Sequence, residues 1–284
     1  MAKTALITGA SQGIGKATAL ELALHGYDLV LAAREPDRLN TAAAEVQKLG
    51  RQALAIPTDV RDPQQVADLA QKAIAHFGQI DVLINDASVY YMGPVEAASL
   101  EDWHQVIQTN LWGYIHTIHA LLPHFLERKS GMIVNLSSIG GIDPVPYQVP
   151  YTTSKYAVTG LTKSLRSELA PKGIHVCGIY PSFIRTQLYE RALFRGQDAD
   201  KRYELVYNAL HSPVLETPED VAKTIRKAIQ HRKKDVLVGT ANFWTAAFHV
   251  VPGVMKPLVR RVFGMSDRHT SVSMPTLSND SPQG

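Results

Sequence analysis

Short apolar, partly β-branched runs alternate with helix-forming stretches along most of this chain, and that alternation limits its possible folds more than any other feature. The runs are Lys3 to Thr8, Asp28 to Ala33, Gln52 to Ile56, Asp81 to Ile84, Gly131 to Leu136, Ile174 to Tyr180 and Asp235 to Val238. They are too short for buried helices and lack the polar alternation of half-exposed strands, so they read as strands buried on both faces. Between them lie helical patterns over Lys16 to His25, Thr41 to Leu49 and Pro63 to His76. A long pattern capped by Ser99 runs through Asn110 and Trp112 towards Phe125. Further helical patterns carry Tyr151 and span Pro218 to His231, the latter opening on a Thr217–Asp220 capping box. Strands joined through helices require crossover connections, hence a parallel sheet covered on both faces.

The first strand enters Gly9-Ala10-Ser11-Gln12-Gly13-Ile14-Gly15 and then a helix. A strand, a glycine turn and a helix N-terminus together present backbone N–H groups to an anion. Gly9 permits the tight turn, while Gly13 and Gly15 permit close backbone approach and helix packing. The same glycines would also suit a turn that holds no ligand. The second strand ends at Ala33-Arg34, where a unit that binds NAD usually places a carboxylate on the ribose 2′-hydroxyl. Arg34 offers instead a planar cation suited to a 2′-phosphate, with Arg38 one turn on, which predicts NADP (NADPH) as cofactor. The expected architecture is therefore one doubly wound Rossmann-type α/β domain over residues 1–240, with a parallel sheet of about seven strands flanked by helices and a C-terminal extension.

Tyr151 and Lys155 stand four apart in a helical run, on one face and one turn from each other. Lowering a phenol from ~10 to ~7 takes about 4 kcal/mol, which one cation at ~4 Å and an effective dielectric of ~20 supplies. The pair therefore reads as a general acid or base, although a solvated helix face would show the same spacing. What raises its weight is placement. Gly9, Arg34, Asp59, Asn85, Ser138 and Pro181 all fall at strand carboxyl ends, where ligands bind in such sheets.

The 29 basic and 26 acidic residues leave a small, unclustered net charge of +3, so nothing points to nucleic acid. One cysteine, Cys177, sits in an apolar run, so no intrachain disulfide forms, a cytoplasmic location is expected, and packing is its expected role. The chain passes from Met1 straight into a strand without a signal-peptide pattern, and no uninterrupted apolar run is long enough to span a bilayer. No metal site is expected.

These motifs resemble the classical short-chain dehydrogenase/reductase family over roughly Lys3 to Val238: the glycine turn, Asp59, Asn85 with Ala87, Asn110, Ser138, Tyr151 with Lys155, and Pro181 with Thr186. The resemblance implies that Tyr151 exchanges a proton with the reacting oxygen while hydride passes to or from a nicotinamide. It implies that Lys155 lowers the Tyr151 pKa and holds the nicotinamide ribose, and that Ser138 hydrogen-bonds the reacting oxygen. Asn110 would keep its helix locally open and anchor a water. Cofactor contacts would come from Gly9, Ser11, Gln12, Gly13, Ile14, Gly15 and Arg34, from Asp59 and Val60 at the adenine, and from Asn85 with Ala87 on the adenosine ribose side. Pro181, Ile184 and Thr186 would face the nicotinamide, beside Tyr151 and Lys155. The family's Asn-Asn-Ala-Gly is here Asn85-Asp86-Ala87-Ser88, which adds a Cβ at Ser88 and replaces a sheet-bracing amide by Asp86. Gln12 stands where many NADP-preferring members carry Arg or Lys, so the cofactor expectation rests on Arg34.

Residues 183–213 are expected to form a lid, with Tyr189, Leu193, Phe194, Tyr203, Leu205 and Val206 on an apolar face. Met92, Pro94, Ile142, Pro144, Val145 and Tyr147 are expected to join the substrate wall. Residues 241–264 form an apolar and basic extension, with Phe243, Trp244 and Phe248 ahead of Val254, Leu258 and Phe263; peripheral membrane contact through 243–263 is one reading, and packing on the domain or a second subunit another. Residues 265–284 are polar and expected to be disordered. The leading functional expectation is an NADP-dependent oxidoreductase interconverting a ketone or aldehyde and an alcohol, with a lipophilic small-molecule substrate and a homodimeric or homotetrameric assembly. Alternatives are a 3-oxoacyl-thioester reductase of fatty-acid type and, outside catalysis, an NADP-binding sensor or scaffold.

Overall fold

Each apolar run becomes a strand in a sheet covered by helices, and the five inner runs have sheet neighbours on both edges. The computed structural model describes residues 2–210 and 215–239. In chain order the elements are β1 (Thr4–Thr8), α1 (Gly13–Leu24), β2 (Asp28–Ala33), α2 (Pro36–Lys48), β3 (Ala53–Pro57), α3 (Pro63–Phe77), β4 (Val82–Asn85), β5 (Tyr91–Met92), α4 (Leu100–Ile107), α5 (Gly113–Arg128), β6 (Gly131–Leu136), α6 (Val149–Leu169), β7 (Ile174–Pro181), β8 (Leu193–Phe194), α7 (Ala199–Leu210), α8 (Pro218–Gln230) and β9 (Asp235–Val238). Seven strands form one all-parallel sheet in the order β3-β2-β1-β4-β6-β7-β9, the expected Rossmann-type architecture.

Strand alternation sorts the core into two layers. Ala5 and Ile7 of β1 join Leu22 of α1, Leu39 and Val46 of α2 and Ile225 of α8 on one face. Leu6 joins Leu69 of α3, Leu121 and Phe125 of α5 and Val158 of α6 on the other. The order reverses between β1 and β4, and ligands of such sheets bind in the crevice beyond the strand ends there.

Three departures from the sequence expectations have physical causes. Helix α2 starts at Pro36 rather than near Thr41, because proline is preorganised for the first helical turn. The long pattern after Ser99 is interrupted: α4 and α5 are separated by a π-helical turn over Gln108–Trp112. The lid region is anchored by a two-stranded sheet in which Tyr91 and Met92 of β5 pair with Leu193 and Phe194 of β8. Residues 211–213 of the lid, the Tyr189 side chain, the 241–264 extension with its membrane reading, and the 265–284 tail lie outside the described residues. Among the described residues no helix is long and apolar enough to cross a membrane.

Candidate active site

The glycine turn is held by its neighbours. Thr8 Oγ1 accepts the main-chain N–H groups of Asp86 (3.1 Å) and Ala87 (3.3 Å), tying the exit of β1 to that of β4. Gly9 has φ +72°, and a Cβ there would stand 3.0 Å from the Ala87 nitrogen. A Cβ on Gly15 would lie 2.5 Å from the Gly9 carbonyl oxygen, so helix α1 approaches the turn closely only because Gly15 has no side chain. Gln12 precedes α1 in extended conformation without a side-chain cap, which leaves first-turn N–H groups for an anion.

One cavity runs past this turn, lined by Gly9, Ser11, Gln12, Gly13 and Ile14 but not by Gly15, which packs behind it. At one end it meets Ala33, Arg34, Asp59 and Val60. Arg34 is exposed and makes no hydrogen bond or ion pair among the described residues. Desolvation opposes it, but the hydrogen bonds and charge of Arg61 (2.5 Å at the closest) hold the Asp59 carboxyl below the usual range. Arg38 donates to Gln12 Oε1 (2.5 Å), so an arginine stands beside the position that lacked one in the sequence.

Asn85 and Asp86 exchange the places expected for them. Asn85, the last residue of β4, is fully buried, donates through Nδ2 to Asn135 Oδ1 (3.0 Å) and accepts from Thr117 Oγ1 (2.6 Å). Its register partner is Asn135 itself, so the two amides brace the sheet, and Asn85 does not line the cavity. Asp86 does, with its carboxyl set against the Gly15 backbone. Burial, opposed by Lys155 and by a hydrogen bond from Gly15, pushes the Asp86 carboxyl up to about 7. Ser88 is accommodated by donating to Asn110 Oδ1 (3.2 Å).

Asn110 sits within the π-helical turn and does not line the cavity. Its Oδ1 also accepts from the Val89 N–H (2.7 Å), and its Nδ2 donates to Val89 O and Ser154 Oγ (each 3.0 Å). All four hydrogen-bonding positions of this side chain are therefore used within the protein. It positions the segment after β4 against α6.

Ser138 caps the start of the 3₁₀ turn after β6, accepting the Gly140 N–H at 3.1 Å, and it is hydrogen-bonded to Tyr151. Tyr151 and Lys155 project from the first turns of α6, 8% and 2% exposed, into the same cavity. The Tyr151 ring packs edge-on against Tyr90 at 4.9 Å. Lys155 Nζ donates to Leu136 O (2.9 Å), and lies 5.7 Å from the Tyr151 ring centre. Burial pushes Lys155 down to about 8, against the charge of Asp86. Burial pushes Tyr151 up to about 12, with Ser138 opposing and Asp86 adding. The expected lowering of Tyr151 by Lys155 is thus absent in this arrangement.

Pro181, Ile184 and Thr186 line the cavity beyond β7, their segment fixed by a bridge between Ile184 and Glu216. Of the six expected wall residues only Val145 does; Met92 and Tyr147 pack under the lid with Val206 and Leu210, the last two of which also reach the cavity. Tyr90, Asp86, Gln148 and Arg191 line it too and were not among the expected site residues. Tyr90 was findable in principle, as an aromatic just after a strand's carboxyl end.

A family model for short chain dehydrogenase matches residues 3–193. An uncharacterized oxidoreductase of Staphylococcus epidermidis is 35% identical over 203 residues, covering 72% of this chain and 85% of that one. A 3-oxoacyl-[acyl-carrier-protein] reductase of Staphylococcus aureus is 37% identical over 185 residues, covering 65% and 75%. A crystal structure of a short-chain dehydrogenase/reductase from Burkholderia phymatum in complex with NAD superposes with TM-score 0.81 at 27% identity, over 90% of this chain and 95% of that one.

Proposed function

The chain belongs to the short-chain dehydrogenase/reductase family and is a nicotinamide-dependent oxidoreductase, and from that premise we propose that it uses NADP(H) to interconvert a lipophilic ketone or aldehyde and its alcohol. The observation that carries this reading is the convergence of Ser138, Tyr151 and Lys155 on one cavity whose far end holds Arg34, unpaired among the described residues. The residues present fit the cofactor: an uncapped helix N-terminus for a diphosphate and an available guanidinium for a 2′-phosphate. Glu35, two residues beyond the end of β2, is engaged by Arg191 (2.6 Å) and does not line the cavity, which weighs against Glu35 as a ribose 2′-hydroxyl reader.

When bound, a nicotinamide supplies or accepts the hydride. Every proton step belongs to the protein. Tyr151 gives its proton to the carbonyl oxygen in reduction and takes it from the hydroxyl in oxidation, a role worth ~10²–10⁴ in rate. Ser138, hydrogen-bonded to Tyr151, directs a second donor to the same oxygen as negative charge grows there. Lys155, with one N–H fixed by Leu136 O, keeps two donors for the cofactor ribose and the proton path. In this account Ser11, Gln12, Gly13 and Ile14 hold the diphosphate, Asp59 and Val60 the adenine, and Ile184 and Thr186 the nicotinamide amide. Val145, Val206 and Leu210 contribute to the apolar part of the wall, which favours a lipophilic substrate.

A second reading has its own support. The similarity to a 3-oxoacyl-[acyl-carrier-protein] reductase favours a 3-oxoacyl thioester as substrate. Assaying the protein with NADPH against alicyclic and aryl ketones and against acetoacetyl thioesters separates the two; turnover confined to thioesters would reject the first. Exposed Trp112 just ahead of α5, Leu126 on α5 and Tyr156 on α6 support pairing of two copies through these helices.

A further inference from the structure

The lid crosses over to the adenosine end of the cavity, and the contact there is charged. Arg191, at the end of the 3₁₀ turn Gln187–Arg191, donates through Nη2 to Glu35 Oε1 at 2.6 Å. Its neighbour Glu190 lies 3.6 Å from Arg38 Nη1, and the same nitrogen of Arg38 donates to Gln12. Arg38 also stands 3.7 Å from Glu35. Two basic and two acidic side chains thus join the lid to the start of α2. Arg191 is the member of this set that lines the cavity, together with Gln12, Ala33 and Arg34.

We propose that Arg191 is a specificity-determining residue that the lid brings to the cofactor's 2′-phosphate. The inference rests on the NADP reading above and extends it from the sheet edge to the lid. Glu35 and Arg191 are half-exposed, with side-chain exposures of 51% and 26%, so their pair is a weak tether. A phosphate dianion beside Arg34 offers Arg191 a stronger, bidentate partner. Glu35 is then the holding group for Arg191 when no phosphate is present, and its carboxylate competes with the ligand. Arg38 stays occupied by Gln12, Glu35 and Glu190, which makes it a brace for the loop more than a reader.

The test is equilibrium binding to the full chain, read by calorimetry or by nicotinamide fluorescence, with circular dichroism to confirm folding of each variant. The probes are NADPH and NADH, and the fragments 2′,5′-ADP and 5′-ADP, which occupy only the adenosine end. Arg191→Ala is expected to weaken NADPH and 2′,5′-ADP by about 10- to 100-fold while NADH and 5′-ADP change less than about threefold. Arg191→Lys is expected to recover part of the loss, and Glu35→Gln to tighten 2′,5′-ADP. Equal losses for NADPH and NADH, or none for either, overturn the role of Arg191; if Arg34→Ala still discriminates between the two, the NADP reading stands without it. A wild-type protein that binds NADH as tightly as NADPH overturns both.

Discussion

Asp86→Asn isolates the electrostatics of the site without disturbing its shape. Asparagine is isosteric and keeps an acceptor for the Gly15 backbone, so the fold around the glycine turn is retained. The carboxylate raises the pKa of both Lys155 and Tyr151, so removing its charge lowers both. No direct ion pair joins Asp86 to Lys155 among the described residues, and at ~6 Å with an effective dielectric of ~20 a unit charge is worth about 3 kcal/mol, or about two pH units. Asp86 is half-buried at the cavity wall, and solvent screening brings the expected shift to about one unit. Carbonyl reduction needs Tyr151 protonated, so its rate falls at alkaline pH. In Asp86→Asn that alkaline limb should move to lower pH by about one unit, read as kcat/KM for the carbonyl against pH at saturating NADPH. An unchanged limb, or one displaced to higher pH, would refute the coupling of Asp86 to the pair.

Stability carries a related signature. The Asp86 carboxyl is raised from 3.8 to about 7 in the folded state, so the fold binds the extra proton and loses stability as pH rises through that window. Thermal melting of the cofactor-free protein should therefore favour Asp86→Asn over wild type at pH 8 and not at pH 4; no difference at pH 8 would contradict the raised carboxyl. Arg34→Ala should weaken NADPH binding about tenfold or more and NADH binding little, whereas equal losses in titration would show that Arg34 reads no phosphate. Gly15→Ala places a Cβ 2.5 Å from the Gly9 carbonyl oxygen and should cost about 1–3 kcal/mol in denaturant unfolding, with cofactor affinity lost; wild-type affinity would refute the close-approach role.

The sheet was legible because its strands are continuous apolar runs bounded by polar residues. Asp28–Ala33 and Gly131–Leu136 fall where the sequence placed them, since burial on both faces leaves no alternation to confuse. Local chemistry also announced the Thr217–Asp220 capping box at the head of α8. The pairing of Tyr91 with Leu193 was not legible: two-residue strands far apart in the chain carry no period. The π-helical turn at Asn110 was signalled only by the family resemblance, because one extra residue in a turn leaves the surrounding helical pattern intact. Among the site residues, Tyr151 and Lys155 could be paired from helical spacing, and Ser138 joined them through its place at a strand end and the family resemblance. The direction of Asn85 and Asp86 depended on the register of β4 with β6, where the matching Asn135 was the unread signal. The titration of Tyr151 depended on burial, which spacing does not reveal.

The central claim is that Tyr151 is the group that protonates the reacting oxygen. Tyr151→Phe keeps the ring and its 4.9 Å packing against Tyr90 and removes only the hydroxyl. The decisive measurement is the single-turnover rate of NADPH oxidation with a ketone that the wild-type protein reduces, alongside NADPH affinity. A rate lowered by ~10²-fold or more with affinity retained is predicted; a Tyr151→Phe protein that turns over at the wild-type rate would contradict it.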